Sequence, residues 1–124
     1  MAEVRQYMVR AASTETFGRV LCSARNHHVV LDGPEQNGCP GEEVTPVEAF
    51  LASVAACGVE LVQLIAKGEQ LPLKKVAVEI SSLQDRSRPV RPEVSLLNSV
   101  HLKFRLQGVT QKEGERLIGA FKGR

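Results

Sequence analysis

The segment 44–68, VTPVEAFLASVAACGVELVQLIAKG, constrains the fold more than any other part of the chain. Its length and composition predict one long helix that is apolar on almost every side. Thr45 is a good N-cap, Pro46 suits the first helical position, and Glu48 completes a capping box with Thr45. Gly68 marks the end of the helix. A helix without a wide polar face must lie in the centre of a fold or between two subunits.

Helix length alone would also allow a membrane span. The polar residues Glu48, Glu60, Gln63 and Lys67 argue against a span, because a carboxylate near the middle of the bilayer is costly. We therefore expect no membrane partner. A net charge of +2 gives no strong field for nucleic acid, so no nucleic-acid partner is expected either.

The 124 residues predict a single domain, 1–124. The N-terminus MAEVRQYMVR lacks the continuous apolar run of a signal peptide. Three cysteines, an odd number at no metal-like spacing, indicate free thiols in a reducing compartment. These features predict a cytoplasmic protein.

Alternation and turn residues predict the remaining elements. Strands are expected at 4–10, 17–24 and 27–32, with Arg25 and Asn26 as the turn between the last two, followed by a loop over 33–43. After the helix, strands are expected at 74–83 and 99–109, separated by a polar excursion at 84–93. A second capping box, Thr110 with Glu113, opens an amphipathic helix that ends at Gly123. The order β-β-β-α-β-β-α predicts an α+β fold, with an antiparallel sheet wrapped on a long central helix.

Cys57 lies near the middle of the central helix, about 18 Å from its N-terminus, where the helix dipole does not act on a thiol. Glu60, three residues further on, would oppose a thiolate if ionised. A reactive thiolate here therefore needs a cation from another segment, which points to a loop arginine. By composition alone, a cysteine beside alanine and glycine is more often a small core residue.

Two stretches resemble the OsmC/Ohr family of thiol-dependent peroxide reductases. They are PVEAFLASVAACG, preceded by HHVVLDGP, and VHLKFRLQGVTQKEGERLIGAF, and the resemblance extends from about Phe17 to Phe121. It implies an OsmC-like fold and an intertwined homodimer with active sites at the subunit interface. It also implies reduction of organic or small hydroperoxides in oxidative-stress defence, with a thiol reductant as partner and no cofactor.

The resemblance assigns roles to individual residues. The family's peroxidatic cysteine, which attacks the peroxide O–O bond and becomes a sulfenic acid, matches Cys57. The family's thiolate-stabilising arginine is matched most nearly by Arg19, with Arg25 and the arginines of 86–91 as alternatives. The predicted catalytic residues are therefore Cys57 and Arg19.

Other family features are not matched. The glutamate found ten residues before the family's cysteine is Val47 here, and Glu48 is interpreted as the cap partner. The family's Cys-Pro motif with the resolving cysteine would begin at about Arg124, where this sequence ends. Either the chain is shortened and has lost a terminal strand as well, or it lacks the resolving step. Cys39 would resolve Cys57 only if its loop ran straight back along the helix, so an incidental loop residue is favoured. Cys22 is interpreted as a core residue of a strand.

His27 and His28 are adjacent on a strand and point to opposite faces, so no metal site is predicted.

In the enzyme, Val54 and Leu61 would line a pocket around Cys57 that suits an alkyl hydroperoxide better than a charged substrate. Two further hypotheses compete with the enzyme. The first competing hypothesis is a non-catalytic OsmC-fold protein with an inert Cys57, in which the interface pocket holds a small apolar ligand. The second is a purely structural role.

Overall fold

The structure is a computed structural model that describes residues 3–93 and 97–123. The fold class is confirmed as α+β, and the strands are divided between two antiparallel sheets. The chain forms two compact units, Met1–Phe50 and Leu51–Arg124, and the expectation of a single domain stays a prediction. The elements are β1 (Arg10–Ser13), β2 (Arg19–Ala24), β3 (His27–Asp32), a short 3-10 helix (Glu35–Asn37), α1 (Pro46–Gly68), β4 (Lys75–Leu83), β5 (Ser99–Gln107) and α2 (Gln111–Lys122).

The first unit contains a three-stranded antiparallel sheet in the order β1-β2-β3. The predicted turn between β2 and β3 is present, and Arg25 adopts the left-handed conformation there with φ 55°. This two-residue connection fixes the register of the hairpin, so that Arg19 pairs with Asp32. The register thus brings an arginine and an aspartate side by side at the far end of the hairpin.

The predicted first strand at 4–10 is wrong in its position, because β1 covers only Arg10–Ser13. The pairing register explains the difference. Arg10 lies opposite Ser23, close to the end of β2, and the chain turns away at Arg25. Residues before Arg10 therefore have little of β2 left to pair with, and Tyr7 is 82% exposed.

The predicted start of the long helix is confirmed. The Thr45 backbone N–H donates to Glu48 Oε1 at 2.9 Å, and the Glu48 N–H donates to Thr45 Oγ1 at 3.3 Å. These two bonds are the reciprocal pair of a capping box. α1 then continues for 23 residues to Gly68, as predicted.

The second unit packs α1 and α2 against the hairpin of β4 and β5. The capping box of α2 is confirmed, with Thr110 and Glu113 bonded reciprocally. Val62, Ala66 and Leu117 form the buried core, and partly buried residues including Phe104 and Phe121 pack against them. β5 begins at Ser99, as predicted, and pairs antiparallel with β4.

One side of α1 is covered in the single chain and the other is not. Gly58, Val62 and Ala66 are buried, whereas Leu64 is 56% exposed. By length and composition α1 could also cross a membrane, a property that core helices of soluble proteins share. Its most apolar stretch has a mean hydropathy of 1.9, and 17% of that stretch is buried. An apolar helix with so little of its surface covered has room for a partner.

Candidate functional site

Cys57 lies on the uncovered side of α1, and its side chain is exposed in the single chain. The alternative that this cysteine is a small buried core residue is therefore wrong. The neighbouring Gly58 is the buried residue at this level of the helix, because a Cβ there would lie only 3.1 Å from Phe104 Cζ. Glycine thus allows α1 to approach the aromatic pair on one side while Cys57 faces outward.

The packing behind Cys57 fixes the position of its helical turn. The rings of Phe104 and Phe121 have centroids 5.4 Å apart and are tilted by 60°, an arrangement that aromatic pairs favour. Gly58 rests against both rings. Once deprotonated, an exposed thiol held on such a support can attack an electrophile that reaches this face of α1.

Arg19, the other predicted catalytic residue, is held by two carboxylates in the first unit. Its Nε donates to Asp32 Oδ1 and its Nη2 donates to Asp32 Oδ2, both at 2.8 Å, which forms a bidentate ion pair. The same Nη2 also donates to Glu42 Oε1 at 2.8 Å. Its role as the cation that stabilises the Cys57 thiolate stays a prediction.

Asp32 is completely buried, and all of its bonds favour the ionised carboxylate. The bonds from Arg19 are the main cause that lowers the pKa of Asp32 to about 2, and the backbone N–H groups of Glu42 and Glu43 also contribute. In turn, Asp32 and then Glu42 raise the pKa of Arg19. The guanidinium is thus fixed in its charged form at the base of the loop that leads to α1.

Asp32 and Glu42 were not predicted as site residues. The sequence places Asp32 only at the end of a predicted strand, yet its carboxylate accepts hydrogen bonds from Arg19 and from two backbone amides of the loop. The sequence did contain a signal for this pair. A two-residue turn at Arg25 and Asn26 places position 19 opposite position 32 in the hairpin. An arginine facing an aspartate at that register predicts a cross-strand ion pair.

The alternative arginines lie on exposed segments. Arg25 occupies the turn of the first hairpin, and Arg91 pairs with Glu93 Oε1 at 2.6 Å. Arg86 and Arg88 are exposed in the connection after β4. Of the candidates weighed from the sequence, Arg19 is the one that a buried carboxylate orients.

Cys39 is part of the packing of its loop. A Cβ placed on either Gly18 or Gly33 would overlap the Cys39 side chain, so this thiol fills the space that the two glycines leave.

Cys22 is half-buried on β2, as expected for a strand residue. Ser23 Oγ and His28 Nδ1 lie 2.8 Å apart on the same sheet. Across 3–93 and 97–123, no three His, Cys, Asp or Glu residues are grouped to hold a metal ion.

Comparison with known proteins gives a family and a set of similar folds. The profile of the OsmC-like protein family matches residues 39–122, which is more than half of the chain. No curated protein is a significant match.

Several solved structures share the fold. An OsmC-like protein from Mycoplasma pneumoniae superimposes with a TM-score of 0.82 at 17% identity, over 97% of this chain and 82% of that one. An organic hydroperoxide resistance protein OsmC from Legionella pneumophila gives 0.73 at 21% identity, covering 98% and 85%. An organic hydroperoxide resistance protein from Elizabethkingia anophelis gives 0.71 at 17% identity, covering 99% and 85%. At these identities the structures establish the fold, and the family profile establishes membership: the chain belongs to the OsmC-like protein family.

Proposed function

We propose that this protein is a thiol-dependent peroxide reductase of the OsmC type, which reduces organic or small hydroperoxides through Cys57. The observation that carries the proposal is the exposed Cys57 on the apolar α1, within the region matched by the family profile. Two of the similar structures are organic hydroperoxide resistance proteins, which supports a role in defence against peroxides.

The chemistry starts with the thiolate of Cys57. The sulfur attacks one peroxide oxygen, the O–O bond breaks, and the departing alkoxide takes a proton to become an alcohol. Cys57 is then a sulfenic acid. An external thiol condenses with it, releasing water and forming a mixed disulfide, and a second thiol restores the Cys57 thiolate and leaves with the first as a disulfide.

Arg19 is the cation that we assign to the thiolate. Its charge is permanent, and the buried Asp32 orients it through two parallel bonds. Glu42 is a weaker anchor because its side chain is 75% exposed, so Arg19 can exchange this contact for another anion while Asp32 still holds it.

We further propose that the working protein is a homodimer in the cytoplasm, where its three free thiols stay reduced. A second copy would cover the exposed side of α1, on which Leu64 is 56% exposed. Such an interface would surround Cys57 with apolar side chains, including the half-buried Val54 and Leu61, and would favour an alkyl hydroperoxide over a charged substrate. Light scattering coupled to size exclusion tests the dimer, and a monomer at micromolar concentration would contradict it.

The decisive experiment follows consumption of cumene hydroperoxide with dithiothreitol as the reductant. Cys57→Ser should reduce the rate to that of dithiothreitol alone, whereas the matched variant Cys22→Ser should keep the wild-type rate. Arg19→Lys keeps the charge but loses the bidentate geometry, so we expect at least a tenfold lower rate.

Two results would contradict the proposal. One is a Cys57→Ser variant as active as the wild type. The other is a wild-type rate no higher than that of dithiothreitol alone, in protein shown by circular dichroism to be folded. The second result would favour a non-catalytic protein that binds a small apolar ligand on the exposed face of α1.

A further inference from the structure

A cavity of about 310 Å³ lies at the C-terminal end of α1, where the chain passes into β4. Its apolar lining includes Leu71, Leu73 and Val76, and its volume is within the range of small-ligand pockets. This site is separate from Cys57, since Lys67 lies ten residues further along α1, or about 15 Å along the helix axis.

Three lysines surround this cavity. Lys67 comes from α1, Lys75 is the first residue of β4 and Lys74 directly precedes it. The amide of Gln63 adds a neutral polar group. No aspartate or glutamate is among the described residues that line it. The cavity therefore combines an apolar wall with a concentration of positive charge that no lining carboxylate balances.

These lysines are not needed to satisfy the end of the helix. The carbonyls of Ile65, Ala66 and Lys67 already accept backbone N–H groups from Glu69, Leu71 and Gln70 at 2.8 to 3.2 Å. Gln70, with φ 56°, has the left-handed conformation that such a helix terminus requires. The ammonium groups are thus available for a ligand.

We propose that this lysine cavity, formed by Lys67, Lys74, Lys75 and the apolar residues between them, binds an amphipathic anion. The ligand would have a carboxylate or phosphate head that accepts hydrogen bonds from the ammonium groups, and a short alkyl or aryl body that packs on Leu71 and Leu73. This assignment is independent of the chemistry of Cys57.

Titration with defined probes tests the lysine cavity. Octanoate and octyl phosphate carry both halves of the ligand, 1-octanol lacks the charge, and inorganic phosphate lacks the chain. Calorimetry should show at least tenfold tighter binding of octanoate or octyl phosphate than of the other two. The ratio of the affinity for octanoate to that for octyl phosphate identifies the preferred head group. Both affinities should weaken as the salt concentration rises. Amide chemical shifts should change within residues 63–76.

Variants distinguish binding in the lysine cavity from a general attraction to surface charge. Lys67→Gln combined with Lys74→Gln should weaken octanoate binding at least tenfold, while Lys112→Gln, an exposed lysine of α2, should leave it unchanged. Cys57→Ser should also bind as the wild type does, whatever its peroxidase activity. The proposal is wrong if 1-octanol binds as tightly as octanoate, if Lys112→Gln weakens binding equally, or if the shifts lie elsewhere.

Discussion

Replacement of Leu117 by alanine tests the core that supports the helix of Cys57. Leu117 is 0% exposed and packs with Val62 and Ala66 of α1. The change removes three carbons, or ~2.4 kcal/mol of transfer free energy at ~0.8 kcal/mol for each buried carbon. The cavity adds a further cost, and the better helix propensity of alanine offsets a few tenths of a kcal/mol. We expect the free energy of unfolding to fall by about 3 kcal/mol.

Urea denaturation at one fixed protein concentration measures this loss, because stability depends on concentration in any oligomer. With a slope of about 1–3 kcal/mol per molar urea, the midpoint should fall by roughly 1–3 M. Leu117→Met conserves volume and should cost less than ~1.5 kcal/mol. Lys112→Ala, on the exposed side of α2, should change stability by no more than ~0.5 kcal/mol. A Leu117→Ala loss no larger than that of Leu117→Met would refute the core assignment.

Two further predictions concern single side chains in the two units. Thr110→Ala removes the cap of α2 and should lower the free energy of unfolding by ~1 kcal/mol, which thermal denaturation measures; an unchanged midpoint would mean that the capping box does not contribute. The pKa of Asp32 is held at about 2, below its ordinary 3.8, so the unfolded carboxyl binds a proton at higher pH than the folded one. The contribution of Asp32 is therefore complete above pH ~4 and is lost as the pH falls from about 4 to about 2. Thermal midpoints of Asp32→Asn should depend less on pH across this window than those of the wild type, and parallel curves would contradict the assignment.

The elements with strong local signals were predictable from the sequence. Both helices begin where a threonine and a glutamate three residues later can bond reciprocally, so Thr45 and Thr110 located them. The alternation predicted for β4 is reproduced in its alternating burial. In each case the information lies within a few consecutive residues.

Features that depend on pairing between distant residues were harder to predict from the sequence. The position of β1 depends on where β2 turns away, and its own sequence carries only a weak pattern. The burial of Asp32 depends on Arg19 and the Glu42 backbone meeting it in space. Cys57 was assigned its role through resemblance, because nothing local to the helix distinguishes an outward thiol from a buried one.

The packing of Cys39 couples its own position to positions 18 and 33. Gly18 and Gly33 both lie against its side chain, so a larger residue at either one requires a smaller residue at 39. Gly18 also has φ +82°, which disfavours a side chain there whatever space is available. Only positions 33 and 39 can therefore compensate for each other in side-chain size. Among homologous sequences these two should vary together in size, while position 18 stays glycine.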